Sequence, residues 1–273
     1  MNYVHTWLEI SRSAFEHNIN IITQIIKSAQ FVCIIKAHAY GHGLFEIAQL
    51  AQEQPHVKWL CITSISEALF LRKQGISKPL LALVDHDNAY ENTLECNITL
   101  GITEKSPGSA LKRAEKYEKY MYGLYNSDSD QQKLVEQSPY SALKPILTWK
   151  TRIINIKTIQ PDTFVGYGCT FKAQKKMTLA TLSVGYSDGY PRQLSHKGSM
   201  VLLHNSPAPI IGIISMNLLT IDITHIPQAC LGDEVTLLGN YPGITPQDFA
   251  AKLDTIPIEI TTRINPLIKR IIV

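Results

Sequence analysis

Phe31-Val32-Cys33-Ile34-Ile35 is a continuously apolar run, and Lys36-Ala37-His38-Ala39-Tyr40-Gly41-His42-Gly43 follows it without a break. Such a run predicts a strand that is buried on both faces, as in a parallel sheet. A lysine at the carboxyl end of a barrel strand lies where the active sites of such folds are found. The two glycines allow the backbone to turn tightly beside a ligand. A lone lysine at a strand end more often only extends into solvent, so the surrounding sequence decides how the octet is interpreted.

Alternating helices and strands surround this octet and continue to about residue 120. A helix is predicted from Ser11 or Ser13 to Lys27, because apolar residues recur there at helical spacing. Further apolar strands are predicted at 59–63, 79–84 and 98–102, and a last helix at 108–118. This alternation predicts an α/β fold with a (β/α) barrel-type domain over residues 1–130. A complete (β/α)8 barrel takes about 250 residues, or about 200 at the low end, so the barrel is predicted to be incomplete.

The chain beyond this domain has a mostly β pattern. Turn residues at Asn126–Asp130 suggest the boundary, and residues 131–273 are predicted to form a C-terminal β-domain. Short apolar segments follow one another there at close intervals. One helix stands out, because Thr245 and Pro246 are typical of a helix cap and of a first helical position, and its pattern runs to about Leu253.

Composition narrows the classes of function. The net charge of +3 is too small to indicate a nucleic-acid partner. No signal peptide or membrane-spanning segment is recognisable, so we expect no membrane association. The cysteines are odd in number and never form a C-x-x-C pair, which favours a reducing cytoplasm over a disulfide framework and disfavours a metal site. These cysteines are Cys33, Cys61, Cys96, Cys169 and Cys230.

The octet resembles the cofactor-lysine motif of the alanine racemase family, usually Lys-Ala-Asn/Asp-Ala-Tyr-Gly-His-Gly, from which only His38 departs. Segments that resemble other motifs of the family follow in the family's order over nearly the whole chain. They are Trp7–Ile10, Ser66–Arg72, Met121–Tyr125, Val165–Phe171, Val184–Arg192, Pro209–Asn217 and Glu259–Ile264, the last of which resembles the family's C-terminal strand.

The resemblance implies a homodimeric racemase that depends on pyridoxal 5'-phosphate and interconverts L-alanine and D-alanine, a peptidoglycan precursor. It implies that Lys36 binds the cofactor and acts as one base, and that Tyr167 of the partner subunit acts as the other. Tyr40 and Tyr186 would contact the cofactor phosphate or the substrate region, and the backbone of Met216 would contact the substrate carboxylate. Two bases are expected because racemisation removes a proton from one face and returns it to the other.

The chain also departs from the family pattern. The units that would supply the fifth to seventh barrel strands have no counterpart, and Lys116 stands at the offset of an arginine that faces the cofactor ring. Ile213 and Asn217 replace the usual Arg and Asp. Three interpretations therefore stay open at this level. The chain is a compact racemase, a vestigial protein that binds the cofactor with little or no turnover, or an interaction protein derived from a racemase.

Overall fold

The computed structural model describes residues 5–26, 31–83, 98–100 and 142–273, and in it the chain divides into two compact units. One unit contains Ser11–Ile146 with Ile272–Val273, and the other contains Met1–Ile10 with Leu147–Ile271. The predicted helix at 108–118, Lys116, the Met121–Tyr125 segment and the boundary between residues 130 and 131 lie outside the described residues. None of the described helices is both long and apolar enough to span a membrane.

The unit that contains Lys36 has a parallel sheet whose strands follow one another in chain order. Strands β2 (Phe31–Ile34), β3 (Val57–Ile62), β4 (Leu80–Ala82) and β5 (Ile98–Leu100) pair in parallel, each with the next. Helices α1 (Arg12–Ile26), α2 (Leu44–Glu53) and α3 (Ile65–Lys73) alternate with them. The prediction of repeated β-α units with a parallel sheet is confirmed.

Local sequence explains where these helices begin. The Ser11 hydroxyl accepts a hydrogen bond from the Ala14 N–H at 3.2 Å, so Ser11 rather than Ser13 caps α1. Helix α3 begins with a capping box, in which Ser64 and Glu67 each accept a hydrogen bond from the other's backbone N–H. Strand β2 is apolar throughout because its core-facing residues, Cys33 and Ile34 among them, are buried.

The other unit is built on an antiparallel sheet. Six of its strands are β6 (Leu147–Ile159), β9 (Met177–Leu182), β10 (Met200–Leu203), β11 (Ser206–Ile211), β12 (Leu219–Asp222) and β13 (Glu234–Leu238). They close into a barrel in the order β13-β10-β11-β12-β9-β6, and β13 pairs again with β6. A short hairpin of β7 (Phe164–Val165) and β8 (Phe171–Lys172) forms a separate sheet. The predicted C-terminal β-domain is therefore confirmed.

Aromatic residues fill part of the core of this unit. The ring of Tyr190 packs between Trp149 and Phe249, with ring centroids 5.8 and 5.6 Å apart. Burial raises the pKa of the Tyr190 phenol above its usual value, so this tyrosine stays neutral and has a packing role. Helix α4 (Pro246–Leu253) carries Phe249, and it begins as predicted, with Thr245 as cap and Pro246 at the first helical position.

Two segments differ from the sequence-based expectations. Strand β1 (Thr6–Ile10), expected within the first domain, pairs antiparallel with β6 and so belongs to the unit that contains the barrel. The Glu259–Ile264 segment was expected to form the C-terminal strand, but helix α5 covers Pro257–Thr262, and the strand is β14 (Lys269–Ile272). Pro257 explains the helix, because proline fixes φ at a helical value and is favoured at the first helical position.

Candidate active site

The octet after β2 forms a left-handed turn. Ala37, His38, Ala39 and Tyr40 have φ angles of 51°, 57°, 51° and 54°, which are left-handed helical values. Each such residue costs an L-amino acid about 1–2 kcal/mol, so four in succession persist only where the surrounding structure imposes them. Backbone strain of this kind clusters at active sites and ligand clamps. The conformation of the turn alone therefore makes it a candidate for a functional site.

A buried histidine and two glycines hold this turn. His42 is 1% exposed, and its Nδ1 lies 3.1 Å from the Ala39 carbonyl oxygen and 3.2 Å from that of Tyr40. Both partners can only accept, so Nδ1 carries the proton. Gly41 and Gly43 have φ angles of 87° and 114°, which favour glycine. His42 was assigned no role from the sequence, although its place in the octet was visible.

The turn determines where Lys36 and Tyr40 lie. Lys36 is partly exposed at the carboxyl end of β2, and Tyr40 is buried at 5% exposure. The Ile35 N–H donates to the Cys61 carbonyl of β3 at 2.7 Å, which ties the base of the turn to the sheet. Lys36 thus has an accessible primary amine on a backbone that is fixed on both sides. Such an amine is suited to the covalent attachment of an aldehyde cofactor.

Tyr186 and Met216 lie together in the other unit. The turn Gly185–Gly189 packs against a loop formed by residues 212–217, which we call the Met216 loop. The Tyr186 N–H donates to the Ser215 carbonyl at 3.1 Å, and the Ser187 N–H donates to the Met216 carbonyl at 3.0 Å. A Cβ atom built at Gly185 would lie 2.2 Å from the Met216 carbonyl oxygen, so only glycine allows this approach.

Tyr167 lies at the end of the β7–β8 hairpin, which contacts the start of the same loop. Gly166 and Gly212, both with positive φ, meet backbone to backbone, and a Cβ built at Gly166 would lie 3.3 Å from the Gly212 Cα. The hairpin is anchored because Val165 and Phe171 pack on a buried apolar cluster. That cluster consists of Ile159, Ala173, Met177 and Leu179.

The three predicted site residues of the barrel unit are all exposed. The exposed fractions are 73% for Tyr167, 42% for Tyr186 and 55% for Met216, which is unusual for large apolar side chains. Tyr186 and Met216 lie on adjoining segments, and adjoining exposed apolar residues are a feature of surfaces that bind a ligand or another protein. The structure thus assigns Lys36 and Tyr40 to one unit, and it brings Tyr167, Tyr186 and Met216 to a shared loop in the other.

Comparison with known families gives two matches that cover most of the chain. The family described as "Alanine racemase, N-terminal domain" matches residues 10–121, and "Alanine racemase, C-terminal domain" matches residues 146–272. An alanine racemase from Methylacidiphilum infernorum is 29% identical over 359 positions, which cover 97% of this chain and 92% of the relative. One from Leptospira interrogans is 40% identical over 156 residues, which cover 56% of this chain and 40% of the relative.

Solved structures give the same fold. Alanine racemases from E. faecalis and from Streptomyces lavendulae superpose with a TM-score of 0.81 each, at 20% and 19% identity, and the matches cover 100% of this chain. The shared region covers 99% and 98% of those chains. The alignment with the Methylacidiphilum relative spans 359 positions against 273 residues here, so that relative has additional residues without a counterpart in this chain.

The close approach at Gly185 leads to a first prediction. Gly185→Ala places a methyl group within 2.4 Å of three backbone atoms of Ser215 and Met216, so the two segments must separate. We expect the free energy of unfolding to fall by about 1–3 kcal/mol, as in other overpacked sites. Urea denaturation measures the change. Gly239→Ala is the control, because Gly239 has no positive φ and its added methyl group would come no closer than 3.3 Å to another atom, a side-chain methyl of Thr236. A loss at Gly185 no larger than at this control would contradict the prediction.

Proposed function

Because the chain belongs to the alanine racemase family, we propose that it is an isomerase that interconverts L-alanine and D-alanine with pyridoxal 5'-phosphate. The observation that carries the proposal is the left-handed turn, which fixes Lys36 at the carboxyl end of a parallel strand within a sequence that matches the family. The relatives reported above are all named alanine racemases, and no comparison favours the vestigial or interaction-protein alternatives.

We propose that Lys36 binds the cofactor covalently through Nζ. When bound, pyridoxal phosphate supplies an electron sink for the negative charge that remains at the α-carbon after a proton is removed. Tyr40 and Tyr186 are proposed to contact the cofactor phosphate or the substrate region. The buried position of Tyr40 four residues after Lys36, in a turn held by His42, supports a fixed role rather than a solvent-facing one.

Two bases act on opposite faces of the substrate in this proposal. Lys36 Nζ removes or returns the α-proton on one face, and the Tyr167 hydroxyl does so on the other. A single base would return the proton to the face it came from and would give back the same enantiomer. The exposure of Tyr167 at the end of an anchored hairpin supports this assignment, because its hydroxyl can reach a substrate.

The Met216 loop is proposed to bind the substrate carboxylate. The Met216 carbonyl is occupied by two hydrogen bonds from Ser187, and no described residue accepts a hydrogen bond from the Met216 N–H. Backbone N–H groups that point at a ligand are effective donors to carboxylates. This leaves the Met216 N–H available for the substrate.

We further propose a homodimer in the cytoplasm. Tyr167, Tyr186 and Met216 form an exposed surface in one unit, while Lys36 belongs to the other, which supports a site shared between two copies of the chain. In a dimer with a shared site, the Tyr167 that serves one Lys36 comes from the partner subunit. None of the described cysteines forms a disulfide, in agreement with a reducing compartment.

The attachment of the cofactor can be tested directly. With pyridoxal phosphate added, the protein should show visible absorption that borohydride removes, and peptide mapping should place the reduced adduct on Lys36. Lys36→Ala should lose the adduct, whereas Lys58→Ala, a change in the same unit, should keep it. An adduct on Lys116, or none at saturating cofactor, would contradict the proposal.

The second base predicts a separation of two activities. Tyr167→Phe should lower racemisation about 10²- to 10⁴-fold, because it removes one proton-transfer group. Exchange of the α-hydrogen with solvent deuterium should survive for one alanine enantiomer, since Lys36 remains. Chiral chromatography and mass spectrometry measure the two rates. Racemisation by Tyr167→Phe at the parent rate would show that another residue is the second base.

A shared site predicts complementation between inactive variants. Each proposed site takes Lys36 from one chain and Tyr167 from the other. In a mixed dimer of Lys36→Ala and Tyr167→Phe, one site therefore has both changes and the other site has neither. An equal mixture, unfolded and refolded together, should therefore recover about a quarter of the unmutated activity. Each variant refolded alone is the control. No recovery, although sedimentation shows mixed dimers, would place both residues of a site on the same chain.

A further inference from the structure

We propose that Asn217 is a positioning residue that holds the Met216 loop in its carboxylate-binding form by orienting the Ser187 hydroxyl. This inference rests on the proposed function, because the loop matters to the reaction only if it binds substrate. Asn217 Nδ2 lies 2.8 Å from Ser187 Oγ, and Ser187 Oγ lies 2.8 Å from the Met216 carbonyl oxygen. The three groups form a chain of hydrogen bonds across the two segments.

The direction of this chain follows from donor and acceptor chemistry. A carbonyl oxygen can only accept, so the single proton of the Ser187 hydroxyl is directed to Met216. The remaining partner of Ser187 Oγ must then be a donor, and the amide nitrogen of Asn217 meets this requirement. An ionised carboxylate can only accept, so aspartate at position 217 would compete with Met216 for the same proton.

The side chain at position 217 therefore determines whether the Ser187 hydroxyl donates its proton to the Met216 carbonyl. The sequence has an asparagine at this position, and its local partners suit an amide. Two further contacts support the turn that carries Ser187. The Asp188 carboxylate accepts from the Gly185 N–H at 2.9 Å, and Asn265 Nδ2 lies 3.3 Å from the Ser187 carbonyl oxygen.

The Met216 loop is the element that this chain of bonds controls. Met216 and Asn217 form its tip, closed by the Ser215 N–H bond to the Leu218 carbonyl at 2.9 Å. The Met216 N–H lies in the Ser215–Met216 peptide, whose carbonyl accepts a hydrogen bond from the Tyr186 N–H at 3.1 Å. The next peptide, Met216–Asn217, is held at its carbonyl by the backbone and the hydroxyl of Ser187. Because both peptides that flank the Met216 Cα are held, the backbone of Met216 cannot rotate freely, and its N–H keeps one direction. Asn217 contacts neither substrate nor cofactor in this proposal and acts only through Ser187 and Met216.

Steady-state kinetics test the inference with four variants. Asn217→Asp and Ser187→Ala should each raise the KM for alanine about two- to tenfold with kcat within about twofold, the effect of one lost hydrogen bond in binding. The double variant should be no worse than Ser187→Ala alone, because both changes break the same chain. Asn205→Asp, which adds the same charge in an exposed turn, should leave both constants unchanged. A fall in kcat at constant KM, or additive effects in the double variant, would overturn the inference.

Amide hydrogen exchange tests it without activity. The Ser187 N–H should exchange faster in Asn217→Asp than in the unmutated protein at pH 7. The ratio of the two rates should return towards one below about pH 4, where the new carboxyl group is protonated and can donate. A ratio that does not change with pH, or is one throughout, would refute the positioning role. If the unmutated protein does not racemise alanine, the proposed function fails, and exchange alone decides the role of Asn217.

Discussion

Four consecutive L-residues in a left-handed conformation are the constraint on which the proposed lysine site depends. The strain of residues 37–40 must be offset by contacts that an isolated peptide would not have. Strand β2 supplies one anchor through the Ile35 bond to β3, and the buried His42 supplies another through the carbonyls of Ala39 and Tyr40. Lys36 is thereby held at the strand end, and it does not extend into solvent from a flexible loop.

In the barrel unit, close backbone contacts at glycines hold together the segments that carry the predicted site residues. Gly185 admits the carbonyls of Ser215 and Met216, and Gly166 admits the backbone of Gly212. Side chains at these positions would separate the segments that carry Tyr186, Met216 and Tyr167. The glycines therefore matter through the distance they permit, and two of them also through their positive φ. The Met216 loop is the common neighbour of all three predicted site residues in this unit.

The shortened chain keeps both halves of this arrangement. The unit of the parallel strands β2–β5 carries the lysine turn, and the unit that contains the six-stranded barrel carries the exposed tyrosines. The additional residues of the Methylacidiphilum relative have no counterpart here, yet the family matches cover residues 10–121 and 146–272. The proposed two-base reaction uses one residue from each of these parts, Lys36 and Tyr167.

The sequence by itself determined the class of fold, the order of elements and the residues of interest. Apolar runs of strand length and the Thr245-Pro246 helix start are local signals, and the structure has strands and a helix at these positions. The prediction from sequence failed where paired strands are distant in sequence. Strand β1 is the example, because it pairs with β6 across more than 130 residues. Only the tertiary structure decided that residues 37–40 are left-handed and that Ser187 links Asn217 to Met216. Those features depend on contacts between segments, and no local pattern of residues encodes them.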